Sequence, residues 1–298
     1  MFVRVAVVCF ALLALVVGPT GAQLGGLPEV EFSQLSQQDP NPLGAQALAI
    51  HPEEWKHAET EHFIYHFVHG YVATPVSTEA EFQYRVVVKE LQREPPVADT
   101  KSHIYIFERP EDWEQFQKVG GLEPWTGGIH SQGSLFMPRS TSSRSSDNTL
   151  GHEITHLIMH RFYPDGIPRW LDEGFAQYTS KNSHASYQRA RGYLSKPQSQ
   201  PVAMAALFRL SSLATMNYPT NAALVEVFYD ESERLVRFLV ATDKPSFLAF
   251  LDALSRHQPF ETALQRCYPG KFPNMAALEV RFREYASNEY SPTASSTE

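Results

Sequence analysis

GHEITHLIMHRFYPDGIPRWLDEGFAQY, residues 151–178, decides how this chain is read. His152 and His156 stand four apart, Glu153 follows the first, and Glu173 comes seventeen residues after the second. On an α-helix, positions i and i+4 lie one above the other, about 6 Å apart along the axis. Both imidazoles can therefore face one metal ion, at a spacing that suits two Zn–N bonds of about 2.0–2.1 Å. Glu153 is displaced by one residue, so its carboxylate can reach a water beside the ion without being a ligand. The competing reading is the polar face of an ordinary surface helix.

A third ligand separates the two readings. A metzincin pattern needs glycine and histidine where this chain has Met159 and Phe162. His160 lies two turns, about 12 Å, from His152, too far for three imidazoles on a straight helix to share an ion. It reads as a supporting or surface group. Glu173 remains. Pro164, Asp165, Gly166 and Pro168 carry turn chemistry that should end the first helix and reverse the chain. A second helix starting near Pro168 then brings Glu173 back to the histidine pair. Two histidines, a glutamate and one open position form the donor set of a catalytic zinc rather than a structural one.

The rest of the chain is compatible with an enzyme of this kind. It has 298 residues, 43% hydrophobic and 19% charged, enough for one large domain or two small ones. A formal charge of -8 gives no electrostatic footprint for nucleic acid. At the start, Arg4, the apolar run from Val5 to Val17 and the small residues Thr20, Gly21 and Ala22 fit a secretory signal peptide over residues 1–22. The run is shorter than the roughly 17–25 residues of a spanning helix, so a membrane tether is the alternative. The expected location is secreted or periplasmic, with no stable membrane span after signal removal. Cys9 leaves with the signal, so Cys267 has no partner for an internal disulfide.

Residues 23–50, rich in Gln, Gly, Pro and Leu, read as a linker or loosely docked arm, with order starting near His51. HFIYHFV (62–68) and SHIYIFE (102–108) read as strands, AEFQYRVVVKELQRE (80–94) as a helix with Phe82, Val86, Val87 and Leu91 on one face. A short helix follows Pro110, and GGIHSQGSLFMP (127–138) reads as one extended segment with a glycine-rich start. Asp147 and Asn148 are N-cap candidates for the His152 helix. Beyond residue 184 only helical spacing is visible, and 288–298 reads as a disordered tail. The expected fold is α+β and zincin-like. A small mixed N-terminal sheet with helices (51–183) stands against an all-helical C-terminal subdomain (184–287), with a cleft between them.

HEITH followed by WLDEGFA resembles the gluzincin metallopeptidases of the broad peptidase MA-like group, many of which carry W-L-x-E-G-x-A after H-E-x-x-H. ETEHFIYHF, HIYIFE, GGIHSQGSLF and YDESERLVRFL are also similar to secreted members of uncharacterised peptidase MA-like families, over roughly residues 55–285. The resemblance implies one zinc ion held by His152, His156 and Glu173. It implies Glu153 as the general base that takes a proton from the attacking water and passes it to the leaving amine of a peptide or protein substrate. It implies a tyrosine or histidine that stabilises the oxyanion, with Tyr229 the first candidate and Tyr218 the second. It also implies a strand that aligns the substrate backbone, here Gly127, Gly128, Ile129 and His130.

The chain departs from the pattern in two places. The G-x-M-E-N signature of the aminopeptidase branch is replaced by GGIHS, and Gln177 stands where thermolysin-type enzymes place a histidine-orienting Asp. Asp172 is expected to face elsewhere on its helix, leaving the partners of the histidines unassigned. A catalytically silent relative that binds peptide or a partner protein in the cleft is the main alternative, and a structural protein with a fortuitous helix pair the second.

Overall fold

A computed structural model of the protein describes residues 26–94, 100–124, 126–139, 149–190, 192 and 208–289. The proposed signal peptide, Asp147, Asn148 and most of the C-terminal tail lie outside the described residues. The fold is mixed α+β. Six strands form one sheet in the order β1-β2-β3-β4-β6-β5: Glu29–Val30, Lys56–Glu59, Phe63–Phe67, Ser102–Phe107, Ser134–Pro138 and Ile129–Ser131. The pairs β3–β4 and β4–β6 are parallel and the other pairs antiparallel. Parallel neighbours need a crossover, and α2 (Gly70–Leu91) supplies the one between β3 and β4.

Alternation along the strands gives the sheet two buried faces. Phe63, Tyr65, Phe67, Ile104, Ile106, Leu135 and Met137 pack into the larger core with α2 and α4 (Thr149–Phe162). Tyr105, Phe107 and Phe136 turn the other way, onto Ala47 of α1 (Pro42–Leu48) and Trp113 and Phe116 of α3 (Pro110–Gly120). The larger core also takes in α5 (Arg169–Ala190), the one-turn α6 (Leu210–Leu213), α7 (Val225–Thr242), α8 (Lys244–Ser255), α9 (Phe260–Cys267) and α10 (Met275–Glu289). No helix among the described residues is long and apolar enough to cross a membrane.

The structure corrects several expectations. Residues 26–50 are docked. Val30 pairs with His57 at the sheet edge, and Asn41 caps α1 by accepting from the Leu43 N–H while its amide donates to the Ser131 carbonyl at 2.7 Å. Asp39 Oδ2 accepts from the hydroxyls of Tyr105 and Ser134. The compositional bias of this stretch hid polar groups that anchor one by one. The segment 127–138 is a hairpin, β5 and β6, because Gln132 and Gly133 both take positive φ (46° and 86°), the backbone of a tight two-residue turn. Helix α2 begins ten residues earlier than its periodicity suggested and tolerates Pro75 in its second turn. Its buried face holds Gln83, Tyr84, Val87 and Leu91, with Phe82 and Val86 only half-buried. The boundary expected at 183/184 falls inside α5, and α10 carries the chain as helix to Glu289. Cys267 is buried and free.

Three buried imidazoles run across β2, β3 and β4 on the second face. His57 Nδ1 lies 2.8 Å from His66 Nδ1, and His66 Nε2 lies 2.9 Å from His103 Nδ1. His66 stacks on Tyr105, and Phe32 covers His57. Burial lowers the pKa of each; His103 and His57 lower that of His66 further, while Asp39 and Glu59 pull that of His103 partly back. The folded chain thus keeps these rings neutral where the unfolded chain would protonate them. Their contribution to stability is present above the ordinary histidine value of about 6.5 and is lost as pH falls below it. The melting temperature measured with a chelator present is expected to fall between pH 7 and pH 5, and His66→Phe should flatten that slope. Equal slopes for both proteins would show that the histidine row is not its source.

Candidate metal centre

Helix α4 lies beneath the β5–β6 edge and against α2, and buries Leu150, Ile154, Leu157 and Ile158. That packing leaves His152 and His156 facing α5 and Glu153 facing the β5 edge. The reversal between the helices is tight: the Gly166 N–H donates to the Tyr163 carbonyl, with Gly166 at φ +83°. The Pro168 carbonyl then accepts from the N–H groups of Leu171 and Asp172 and opens α5. Asp172, in its first turn, complements the positive end of the helix.

Helix α5 is wedged between α4 and α7. Gly174, next to Glu173, is the point of closest approach to α7: a Cβ there would stand 2.4 Å from the Ser232 carbonyl oxygen and 2.9 Å from Val236 Cγ2. The glycine of WLDEGFA is therefore a packing requirement that keeps Glu173 close to α4. Gly174→Ala is expected to cost about 1–3 kcal/mol by overpacking, read as a lowered melting temperature. An unchanged value would mean that α5 and α7 separate freely.

Three donor atoms converge where the helices face one another. His152 Nε2 and His156 Nε2 are 3.0 Å apart, and Glu173 Oε2 lies 3.3 Å and 3.2 Å from them. Donors bound at about 2.0–2.1 Å around a tetrahedral ion stand roughly 3.3–3.4 Å apart. The three atoms thus form one face of such a tetrahedron, slightly contracted.

The far nitrogen of His156 is also engaged. Its Nδ1 donates to Asp172 Oδ1 at 2.8 Å, so on loss of the second ring proton the lone pair would stand at Nε2. Asp172, expected to face elsewhere, is thus the group that orients His156. Adjacent residues on α5 differ in direction, but α4 presents both edges of the His156 ring, one to each carboxylate. His160 is half-exposed, with Nε2 3.5 Å from Asp172 Oδ2. His152 Nδ1 is buried with no hydrogen-bond partner.

Charge is concentrated here. Glu153, Asp172 and Glu173 stand against one guanidinium, Arg169, which lies 3.6 Å from Asp172 Oδ2 and 3.5 Å from Glu173 Oε1. Burial raises the pKa of all three carboxyls, but their histidine contacts outweigh it and hold each below the usual range. Burial alone would lower that of His156; Asp172 and Glu173 reverse this and raise it to about 10. Three carboxylates and one guanidinium leave two negative charges, which the His156 proton offsets in part and a divalent cation displacing that proton would offset in full.

Both candidate tyrosines reach the site. The Tyr218 hydroxyl donates to Glu173 Oε1, and Arg169 lies over its ring at 5.1 Å. Tyr229 stands edge-on to His152 at 6.2 Å between ring centroids and beside Tyr218 at 6.4 Å. Burial, then Glu173, raises the pKa of both hydroxyls, so both stay protonated and can donate.

Of the four residues expected to align a substrate, two meet Glu153. A Cβ on Gly128 would lie 3.7 Å from Glu153 Cγ, and His130 Nδ1 is 3.4 Å from Glu153 Oε2. Gly127 is exposed with nothing near its Cβ position, and Ile129 packs against the other face of the sheet. Strand β5 begins only at Ile129 and has a partner on one side, so it is a sheet edge.

No protein-family model and no curated protein matches the chain.

Proposed function

We propose that this protein is a zinc-dependent metallopeptidase of gluzincin type, with a zincin-like arrangement of its sheet and helices. The observation that carries the reading is the convergence of His152 Nε2, His156 Nε2 and Glu173 Oε2 within 3.0–3.3 Å of one another. Two of the three donors also have their outer atoms engaged in the direction a cation requires. Asp172 takes the outer proton of His156, and Tyr218 takes the outer oxygen of Glu173. The charge balance and the donor types fit a divalent, borderline-soft ion with one open position.

A bound zinc ion supplies Lewis acidity, polarising a carbonyl and acidifying water. The chain's own groups do the rest. Glu153, held beside the donor triangle but outside it, takes the proton of the attacking water and returns it to the leaving nitrogen. Tyr229, protonated and beside His152, donates to the oxygen on which charge develops. The β5 edge offers backbone groups to an extended peptide or protein substrate, and Gly128 lets that backbone pass close to Glu153. The apolar start of the chain supports a secreted or periplasmic location.

The purified chain is expected to hold about one zinc ion by mass spectrometry, lost in His156→Ala and in Glu173→Ala. Asp172→Asn should keep the fold and weaken zinc by roughly 10–100-fold in a competition with a chromogenic chelator. Glu153→Gln should retain zinc while turnover of labelled casein falls by about 100-fold or more. A folded chain that takes up no zinc on reconstitution would end the peptidase reading. Zinc with no difference between wild type and Glu153→Gln would leave a metal-bearing peptide-binding protein.

A further inference from the structure

The general base proposed above has a neighbour that its role does not yet use. Glu153 projects toward the sheet edge, where β5 presents two residues to it: Gly128, with no side chain, and His130, with an imidazole. Ile129, between them, turns away. The His130 ring is fixed on two sides, lying nearly flat on His156 (4.9 Å between centroids, 19°) and edge-on to His160 (4.7 Å, 74°). Its Nδ1 is aimed at Glu153 Oε2, at 3.4 Å. Both side chains are mostly shielded, 19% and 15% exposed. His130 is not part of the donor triangle, because its ring stacks on the face of His156 instead of pointing an edge at His156 Nε2.

A glutamate side chain has three torsions, and a base that must meet a water at one place gains from having them restricted. A hydrogen bond from His130 Nδ1 to Oε2 holds one carboxylate oxygen and leaves Oε1 for the proton. Bonds of this kind are commonly long before substrate binds and shorten in the complex. We propose that His130 is a positioning residue: from the edge strand that receives the substrate, its Nδ1–H anchors Glu153 in the orientation in which the carboxylate takes the proton. The strand that lays out the peptide and the residue that activates water are then one mechanical unit. This inference rests on the peptidase reading.

The test uses the full purified chain loaded with zinc, with labelled casein as probe, and two substitutions. His130→Phe keeps a ring and removes the donor; His130→Asn keeps an N–H donor near the place of Nδ1. The expected result is a fall in kcat of about tenfold or more for His130→Phe, with KM and zinc content unchanged, and recovery of most of that loss in His130→Asn. Equal losses in both would reduce His130 to ring packing, a rise in KM alone would make it a substrate contact, and loss of zinc would make it a ligand; each overturns the proposal. A second readout does not need turnover. In metal-free protein, the melting-temperature changes of His130→Phe and Glu153→Gln should fail to add by about 2 °C in the double variant. Additive changes would show that the two side chains are not joined. If wild type and Glu153→Gln are equally inactive, the peptidase reading falls, and this thermal cycle alone decides whether His130 holds Glu153.

Discussion

His156 is gripped from both ends. Its Nδ1 meets Asp172 and its Nε2 meets Glu173, two consecutive residues of the facing helix. A buried ring held by two carboxylates must carry a proton or share a cation, because leaving two buried negative charges uncompensated costs several kcal/mol. That requirement locks α4 to α5 in one register. It also explains why α5 has no side chain where it crosses α7, since a bulkier residue than Gly174 would pull Glu173 off the ring.

Around this clamp the fold collects groups from elements far apart in sequence. The sheet edge contributes His130, the loop after α6 contributes Tyr218, and α7 contributes Tyr229. Each is tied to a different residue of the site: His130 to Glu153, Tyr218 to Glu173, Tyr229 to the ring of His152. Even the N-terminal stretch takes part at one remove, since the Asn41 amide holds the Ser131 carbonyl beside His130. The site thus forms only when the whole fold has formed.

The convergence of His152, His156 and Glu173 was legible because its information is local: helical spacing for the histidines, turn chemistry for the reversal, and a glutamate at the right distance beyond it. Strands β3 and β4 were legible from their aromatic and β-branched runs. What escaped had its cause elsewhere in the chain. Asp172 was misread because its direction was judged on its own helix, whereas its partner is the outer nitrogen of a ring on α4. The N-terminal residues were read as an arm because composition does not reveal that Asp39 meets Tyr105 and Ser134. The hairpin was read as one strand because Gln-Gly is a weaker turn signal than Asn-Gly. The first turns of helix α2 were missed because Gly70, Thr74, Pro75 and Thr78 are poor helix formers that packing overrides.

Helix α5 passes unbroken through the place where the loss of strand signals suggested a division of the chain. Its first turns carry the acidic residues of the clamp, and the same helix lies on α7 and shares the large core with α8, α9 and α10. The helical region is consequently not a module that could be trimmed away or exchanged for another. Separating the chain at 183/184 would strip one side of α5 of its cover, leaving Phe175 without Phe247, against which its ring is stacked. Inheritance of this scaffold therefore has to be all or nothing. A descendant can lose these side chains one residue at a time, but it cannot shed the scaffold that holds them.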